Sequence, residues 1–262
     1  MKCIKYNYNY NYNYNMVKTL VLYVFHEMNE RVELFINHAL FYDVNVDFIM
    51  ISNNRHNVFE VPYYVKKIFR CNIGYDFGAW SEVLLSNNLY QNYDNFIFAN
   101  SSIMGPFLNN DYKGKWTDKY LNGLKDNIKL FGSSICAGKD PINTAHVQSY
   151  IFAIDKEVLN FLILQEVFCF TNIDVLLHET IYFKEILMSR KIIENGWNIG
   201  SLMKHYENVD FTFLNKTPND YKINFFDDVM YFNFRNSIWD EYEICFIKGN
   251  RRFMDINWFY KK

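Results

Sequence analysis

Proline, paired cysteine, long apolar runs and charge of one sign are all scarce in this chain, and each scarcity removes a class of protein. Only four prolines occur in 262 residues, and no proline-rich or glycine-rich stretch offers a linker. One domain is therefore expected, from residue 16 to residue 262. The five cysteines, Cys3, Cys71, Cys136, Cys169 and Cys245, are odd in number, lie far apart and form no CxxC. That spacing suits reduced thiols and argues against a disulfide framework or a zinc site. No apolar run approaches the roughly 18–20 residues of a membrane helix; the longest, Leu20 to Phe25 and Val158 to Leu164, are core-sized. The N-terminus has no apolar segment of secretory type, so a cytoplasmic protein without a membrane span is expected. With 27 basic and 29 acidic residues the formal net charge is -2, which argues against a nucleic-acid partner, because phosphate binding needs a clustered basic surface. A GxSxG elbow and a GxGxxG loop are both missing.

What the chain has in quantity is core material. Half of it is hydrophobic and 19% is aromatic, enough for a large interior. Tyr6 to Asn15 alternate Tyr and Asn, a low-complexity pattern without an apolar face. Residues 1–15 are read as a disordered arm, with Met16 a candidate initiator. From Val17 strands and helices alternate. Strands are expected at Val17 to Phe25, Val46 to Ser52, Ile68 to Cys71 and Asn95 to Ala99, and then at Ile128 to Ser133 and Val147 to Ile154. Helical spacing follows at Val32, Phe35, Ile36, Ala39 and Leu40, and again around Trp80, where Asp76 is expected as the N-cap. A helix from Asp155, a long one from Asp174 to Asn195 stopped by Gly196, and a last strand at Glu243 to Ile247 complete the pattern. Strands that each end in a polar cluster imply an α/β fold, a mostly parallel sheet with a ligand crevice at the strand C-termini.

Five constellations carry candidate chemistry. Asn100-Ser101-Ser102 ends a strand and could hold a diphosphate, directly or through Mn2+ or Mg2+, although it offers no carboxylate to a hard cation; an ordinary turn is the alternative. Asn72-Ile73-Gly74-Tyr75-Asp76-Phe77-Gly78 sets two glycines around an acid that could bind a sugar hydroxyl. Asn53, which follows the second strand, and Asn72 are further candidates for binding the donor. Glu185 falls on the apolar half of the Asp174 to Asn195 wheel, with Leu177, Ile181, Tyr182, Ile186, Met188, Ile192 and Ile193. A carboxylate in such surroundings acts either as a general base or as a structural group, paired with Arg70 or capping a buried backbone group. His146-Val147-Gln148-Ser149 opens a strand without a nucleophile motif, and Lys248 and Arg251 follow the last strand, where they could meet a pyrophosphate.

Six stretches, CNIGYDFGAWSEVL, YDNFIFANSSIMGPFL, WTDKYLNGLKDNIKLFGSSI, HVQSYIFAIDKEVL, EILMSRKIIENGWNIGSLMKHY and YEICFIKGNRR, together resemble a family of small glycosyltransferase-like proteins of algae, plants and large DNA viruses. That family is distantly similar to the bacterial rhamnan-synthesis F group, and the match spans roughly residues 20 to 252. The resemblance implies a GT-A fold, a Rossmann-like nucleotide-binding half joined without a linker to an acceptor half. It also implies transfer of a sugar from a nucleotide-sugar donor to a glycan or glycoprotein acceptor, in the host cytoplasm if the chain is viral. Where such enzymes commonly carry a metal-binding DxD, this sequence has Asn100-Ser101-Ser102, which leaves metal dependence open. By position the resemblance sets Asp76 toward the donor, Glu185 toward the acceptor, and His146 and Ser149 along the cleft between them. The alternatives are a catalytically inactive binding module and a structural partner protein with an interface around Trp239 and Trp258.

Overall fold

The computed structural model describes residues 17–170 and 181–251. The Tyr-Asn arm, residues 174–180 of the expected 174–195 helix, and Trp258 lie outside them. In chain order the main elements are β1 (Thr19–Phe25), α1 (Glu30–His38), β2 (Val46–Ser52), β3 (Val65–Phe69), α2 (Tyr75–Leu85), β4 (Asn95–Asn100), β5 (Ile103–Met104), α3 (Trp116–Leu121), β6 (Ile128–Gly132), β7 (Ile135–Cys136), α4 (Pro141–Thr144), β8 (His146–Val147), β9 (Ile151–Asp155) and α5 (Lys156–Leu164). A π-helix (Ile181–Ile186) then runs into α6 (Leu187–Glu194), followed by β10 (Asn198–Ser201), α7 (Glu241–Ile244) and β11 (Ile247–Lys248). Among the described residues no helix is long and apolar enough to cross a membrane.

Seven strands form one sheet in the order β3-β2-β1-β4-β9-β6-β10, all parallel except β9, which runs antiparallel to both neighbours. This is the α/β, mostly parallel, single-domain architecture expected, with a Rossmann-like half, β3-β2-β1-β4, continuing directly into a second half. β1 reads as an unbroken apolar run because it is covered on both faces, all seven residues being buried. On one face Tyr23 stacks on Phe35 of α1 at 4.0 Å, and Phe35 meets Trp116 of α3 edge-on at 6.2 Å. On the other, Trp80 of α2 meets Phe98 and Phe152 edge-on at 5.3 and 5.7 Å. After β1 the chain moves outward to β2 and β3, then returns to β4 on the opposite side of β1. That reversal opens a crevice at the C-terminal ends of β1 and β4, where open α/β sheets bind ligands.

Several expectations are corrected. β3 ends at Phe69, leaving Arg70 to turn inward. The strand expected over Val147 to Ile154 is two strands broken at Gln148 to Tyr150. The strand expected at Glu243 to Ile247 begins instead as α7, because Asp240 accepts from the Tyr242 N–H as an N-cap; Cys245 at φ 65 then turns the chain into β11. Trp239 is 2% exposed and donates to the Val229 carbonyl, so it is no exposed interface. Gly196 does stop α6: at φ 81 it donates to the Ile193 carbonyl while Trp197 donates to that of Ile192, a Schellman closure. Ahead of α6, the π-turn rotates the faces away from an α wheel. Tyr182 is 62% exposed, and Lys184 is buried in its stead, donating to the Glu166 and Val167 carbonyls at 2.7 and 2.8 Å.

Candidate functional site

The crevice is shaped by a turn that the chain adopts at some cost. Gly74 (φ 70) caps α2 and Tyr75 (φ 52) follows, also left-handed. For a bulky non-glycine residue that conformation costs roughly 1–2 kcal/mol, so something must hold it. The holder is Arg70, 5% exposed: Nε donates to Glu82 at 2.7 Å, one terminal nitrogen to Asn53 Oδ1 at 2.6 Å, and the other to the Ile73 carbonyl at 2.8 Å. Asn53 in turn donates to the Tyr75 carbonyl at 3.4 Å. A Cβ on Gly78 would run into the Ile73 carbonyl oxygen, so the helix and the turn touch backbone to backbone there.

Asp76 is not the N-cap, a position Gly74 takes without any side-chain bond. Its carboxylate instead accepts from Asn100 Nδ2 at 2.8 Å, and Asn100 Oδ1 accepts from the Ser102 N–H at 2.9 Å. Burial pushes the Asp76 carboxyl up to about 6; the Asn100 hydrogen bond opposes the rise and the Glu185 charge adds to it. Glu185, its side chain 14% exposed, is clamped by the Ser149 hydroxyl, which donates to Oε2 at 2.5 Å. His146 Nε2 stands 3.7 Å from Oε1. Its Nδ1 lies 2.7 Å from the Thr144 carbonyl, which can only accept, so Nδ1 carries the proton and Nε2 faces Glu185. The pairing of Glu185 with Arg70 is overturned, since Arg70 is engaged by Glu82, Asn53 and Ile73.

These groups meet in a cleft of about 230 Å³ lined by Tyr75, Asp76, Phe77, Asn100, Ser102, Ser149, Tyr150, Glu185, Lys248 and Asn250. Lys248 arrives because β11 pairs antiparallel with β5 just after β4. The strand pairing continues as Gly249 N–H to the Ser102 carbonyl at 2.7 Å and Asn250 Nδ2 to Ser102 Oγ at 3.3 Å. The Lys248 ammonium makes no hydrogen bond or ion pair among the described residues. Other cavities are larger, about 310 Å³ at the β10 edge, about 310 Å³ behind the Gly74 turn and about 260 Å³ between β3 and α2. None of these gathers two carboxylates and an ammonium.

Six of the residues marked in the sequence therefore share one cleft: Asp76, Asn100, Ser102, Ser149, Glu185 and Lys248. His146 touches it through Glu185. The rest do not line it. Asn53 is buried behind the turn; Asn72 is exposed outside it; Ser101 turns its carbonyl to Arg31 Nε at 2.8 Å. Arg251 is bound to Asp228 and lies over the Tyr231 ring at 5.0 Å, so its charge is already met. Tyr75, Tyr150 and Asn250 were not singled out in the sequence, and neither was the supporting role of Arg70. Tyr75 lies beside Asp76 and could have been found; the others depend on contacts distant in sequence.

The donor set does not suit a divalent ion held by protein groups alone. Among the described residues no three His, Cys, Asp or Glu side chains cluster as ligands. Asn100 uses its oxygen for the Ser102 N–H and its nitrogen for Asp76, and an ammonium shares the space, whereas hard cations of this kind take six or more oxygens.

No family model matches the sequence, and no curated protein matches it. Solved structures match in shape at low identity. One is a cytidylyltransferase from Leptospira borgpetersenii serovar Hardjo-bovis, 10% identical over 82% of each chain, with a TM-score of 0.36. Another, from Desulfovibrio desulfuricans G20, is described as a nucleotide-diphospho-sugar transferase; it is 12% identical over 87% of this chain and 94% of its own, with a TM-score of 0.32. Likenesses at these scores carry no argument about function, and the site rests on its own residues.

Proposed function

We propose that the chain is a glycosyltransferase that moves a hexosyl or deoxyhexosyl group from a nucleotide-sugar to a hydroxyl of a glycan or glycoprotein. The observation that carries this is the meeting of Asp76, Ser102, Lys248 and Glu185 in one cleft at the sheet's switch point. In the reaction the acceptor oxygen bonds to the anomeric carbon as the bond from that carbon to the diphosphate oxygen breaks. Glu185, held by the Ser149 hydroxyl and faced by His146, takes the acceptor proton if the centre inverts. Lys248 meets the charge gathering on the departing diphosphate, with Ser102 and Asn250 beside it. Asp76 accepts a hydroxyl of the donor. A divalent ion, if used, would rely on diphosphate oxygens for most of its ligands, and no step above depends on one.

A second reading, a binding module without turnover, is favoured by one observation: the Asn100 amide is spent on Asp76 and Ser102. Melting the protein with a panel of nucleoside diphosphates, with and without manganese, tests both at their shared root. A ligand at 100 times its Kd stabilises by about 2.7 kcal/mol, a rise in melting temperature of roughly 5–10 °C for a chain of this size. No shift with any diphosphate would remove both readings. A shift without donor hydrolysis or transfer would favour the module.

A further inference from the structure

Among the described residues no contact of the Tyr75 side chain explains its conformation. It adopts φ 52 directly after Gly74, in a region where bulky side chains are rarely found. Its ring is half-buried, yet among the described residues it is packed against no part of the apolar core and makes no ring contact with any other aromatic. Its hydroxyl makes no hydrogen bond among the described residues. A glycine would meet the backbone demand without strain. What the conformation accomplishes is to bring Tyr75 to the wall of the cleft, next to Asp76.

The surroundings keep it there. Arg70, buried and triply bonded, holds the Ile73 carbonyl and Asn53, and Asn53 holds the Tyr75 carbonyl. Asn100 closes β4 and bonds both Asp76 and the Ser102 N–H, so the acid stands beside the corner formed by Ser102 and Lys248. The cleft thus holds a tyrosine, a hydroxyl acceptor and a cationic corner with hydroxyl and amide donors. Those groups suit a base, a ribose and a diphosphate.

We propose that Tyr75 is the platform on which the planar base of the donor nucleotide stacks, and that the left-handed turn is retained to hold the ring in place. This rests on the nucleotide-sugar reading above. Stacking is tolerant of base identity because every base has a π-face, so Tyr75 sets that a base is bound, and the edges around it set which one.

The test measures melting temperature and the Kd of UDP, GDP, CDP, ADP and inorganic pyrophosphate for the wild type, Tyr75→Phe and Tyr75→Gly. Tyr75→Phe keeps the face and is expected to bind the tightest diphosphate within about threefold of wild type. Tyr75→Gly is expected to lose at least about tenfold in that affinity, to leave pyrophosphate binding unchanged, and to melt no lower than wild type because the strain is relieved. Wild-type diphosphate affinity in Tyr75→Gly would overturn the proposal while leaving the nucleotide reading intact. A fall in melting temperature with equal losses for diphosphate and pyrophosphate would also overturn it, making Tyr75 structural. A wild type that binds no diphosphate would overturn both the platform and the reading beneath it.

Discussion

Asp76 and Glu185 are two carboxylates in one cleft with different support. Asp76 has a single amide donor and a surrounding that disfavours its charge, so its carboxyl rises to about 6 from 3.8. Glu185 has a hydroxyl donor and a facing imidazole. The raised group fixes a sign. Between about pH 4 and pH 6 the folded protein holds a proton on Asp76 that the unfolded chain has released. The stability contribution of this group therefore falls as pH rises through that window and is flat above it. Donor binding is expected to run the other way, because the ionised carboxylate accepts a donor hydroxyl more strongly than the neutral acid does. Nucleotide affinity is expected to drop on acidification below about pH 6 in the wild type and to lose that dependence in Asp76→Asn. Titrating Kd from pH 5 to pH 8 in both proteins checks it; parallel curves would remove Asp76 from the donor site.

At the scale of elements, the turn at residues 72–75 and the start of α2 act as one unit. Gly78 is the point of contact, since a side chain there meets the Ile73 carbonyl. Gly78→Ala is expected to push the turn outward, destabilising the fold by about 1–3 kcal/mol as overpacking does and weakening nucleotide binding through Tyr75 and Asp76. Thermal melts with and without ligand check this, and an unaltered Kd would mean the turn and the site are independent. The same elements show what local sequence conveys. β1, β2 and β4 were legible because buried parallel strands are apolar runs ending in polar clusters. Asp155 and Gly196 were legible because a cap and a Schellman stop act within a few residues. Asp76 reads locally as a cap because its real partner, Asn100, is 24 positions away. The π-turn was hidden because Lys184 is drawn inward by the carbonyls of Glu166 and Val167, which a helical wheel does not include.

For the whole molecule, the sheet order decides which residues become neighbours. Strands alternating with helices announced a parallel sheet, and the switch point between β1 and β4 follows from chain reversal. The reversed direction of β9 was not legible, because a buried strand carries the same apolar run either way. Yet Ser149 and Tyr150 immediately precede that strand and reach the cleft because β9 starts at the end where β4 finishes. β11 carries Lys248 to the same place from near the end of the described chain. The Ser149–Glu185 bond ties the segment entering β9 to the π-helix at this cleft, so Ser149→Ala is expected to leave nucleotide affinity within about twofold while lowering turnover. Comparing Kd with kcat checks that separation.

The central claim is that Glu185 takes a proton from the acceptor in a nucleotide-sugar-dependent transfer, and Glu185→Gln tests it most directly. Gln keeps the shape and can still accept from Ser149, and Arg70, held elsewhere, loses no partner. Turnover of the donor that the wild type uses, nucleotide Kd and melting temperature are measured on the one variant. The account predicts a loss of turnover of about 100-fold or more, with affinity and melting temperature close to wild type. Near-normal turnover in a folded, nucleotide-binding Glu185→Gln protein would contradict it.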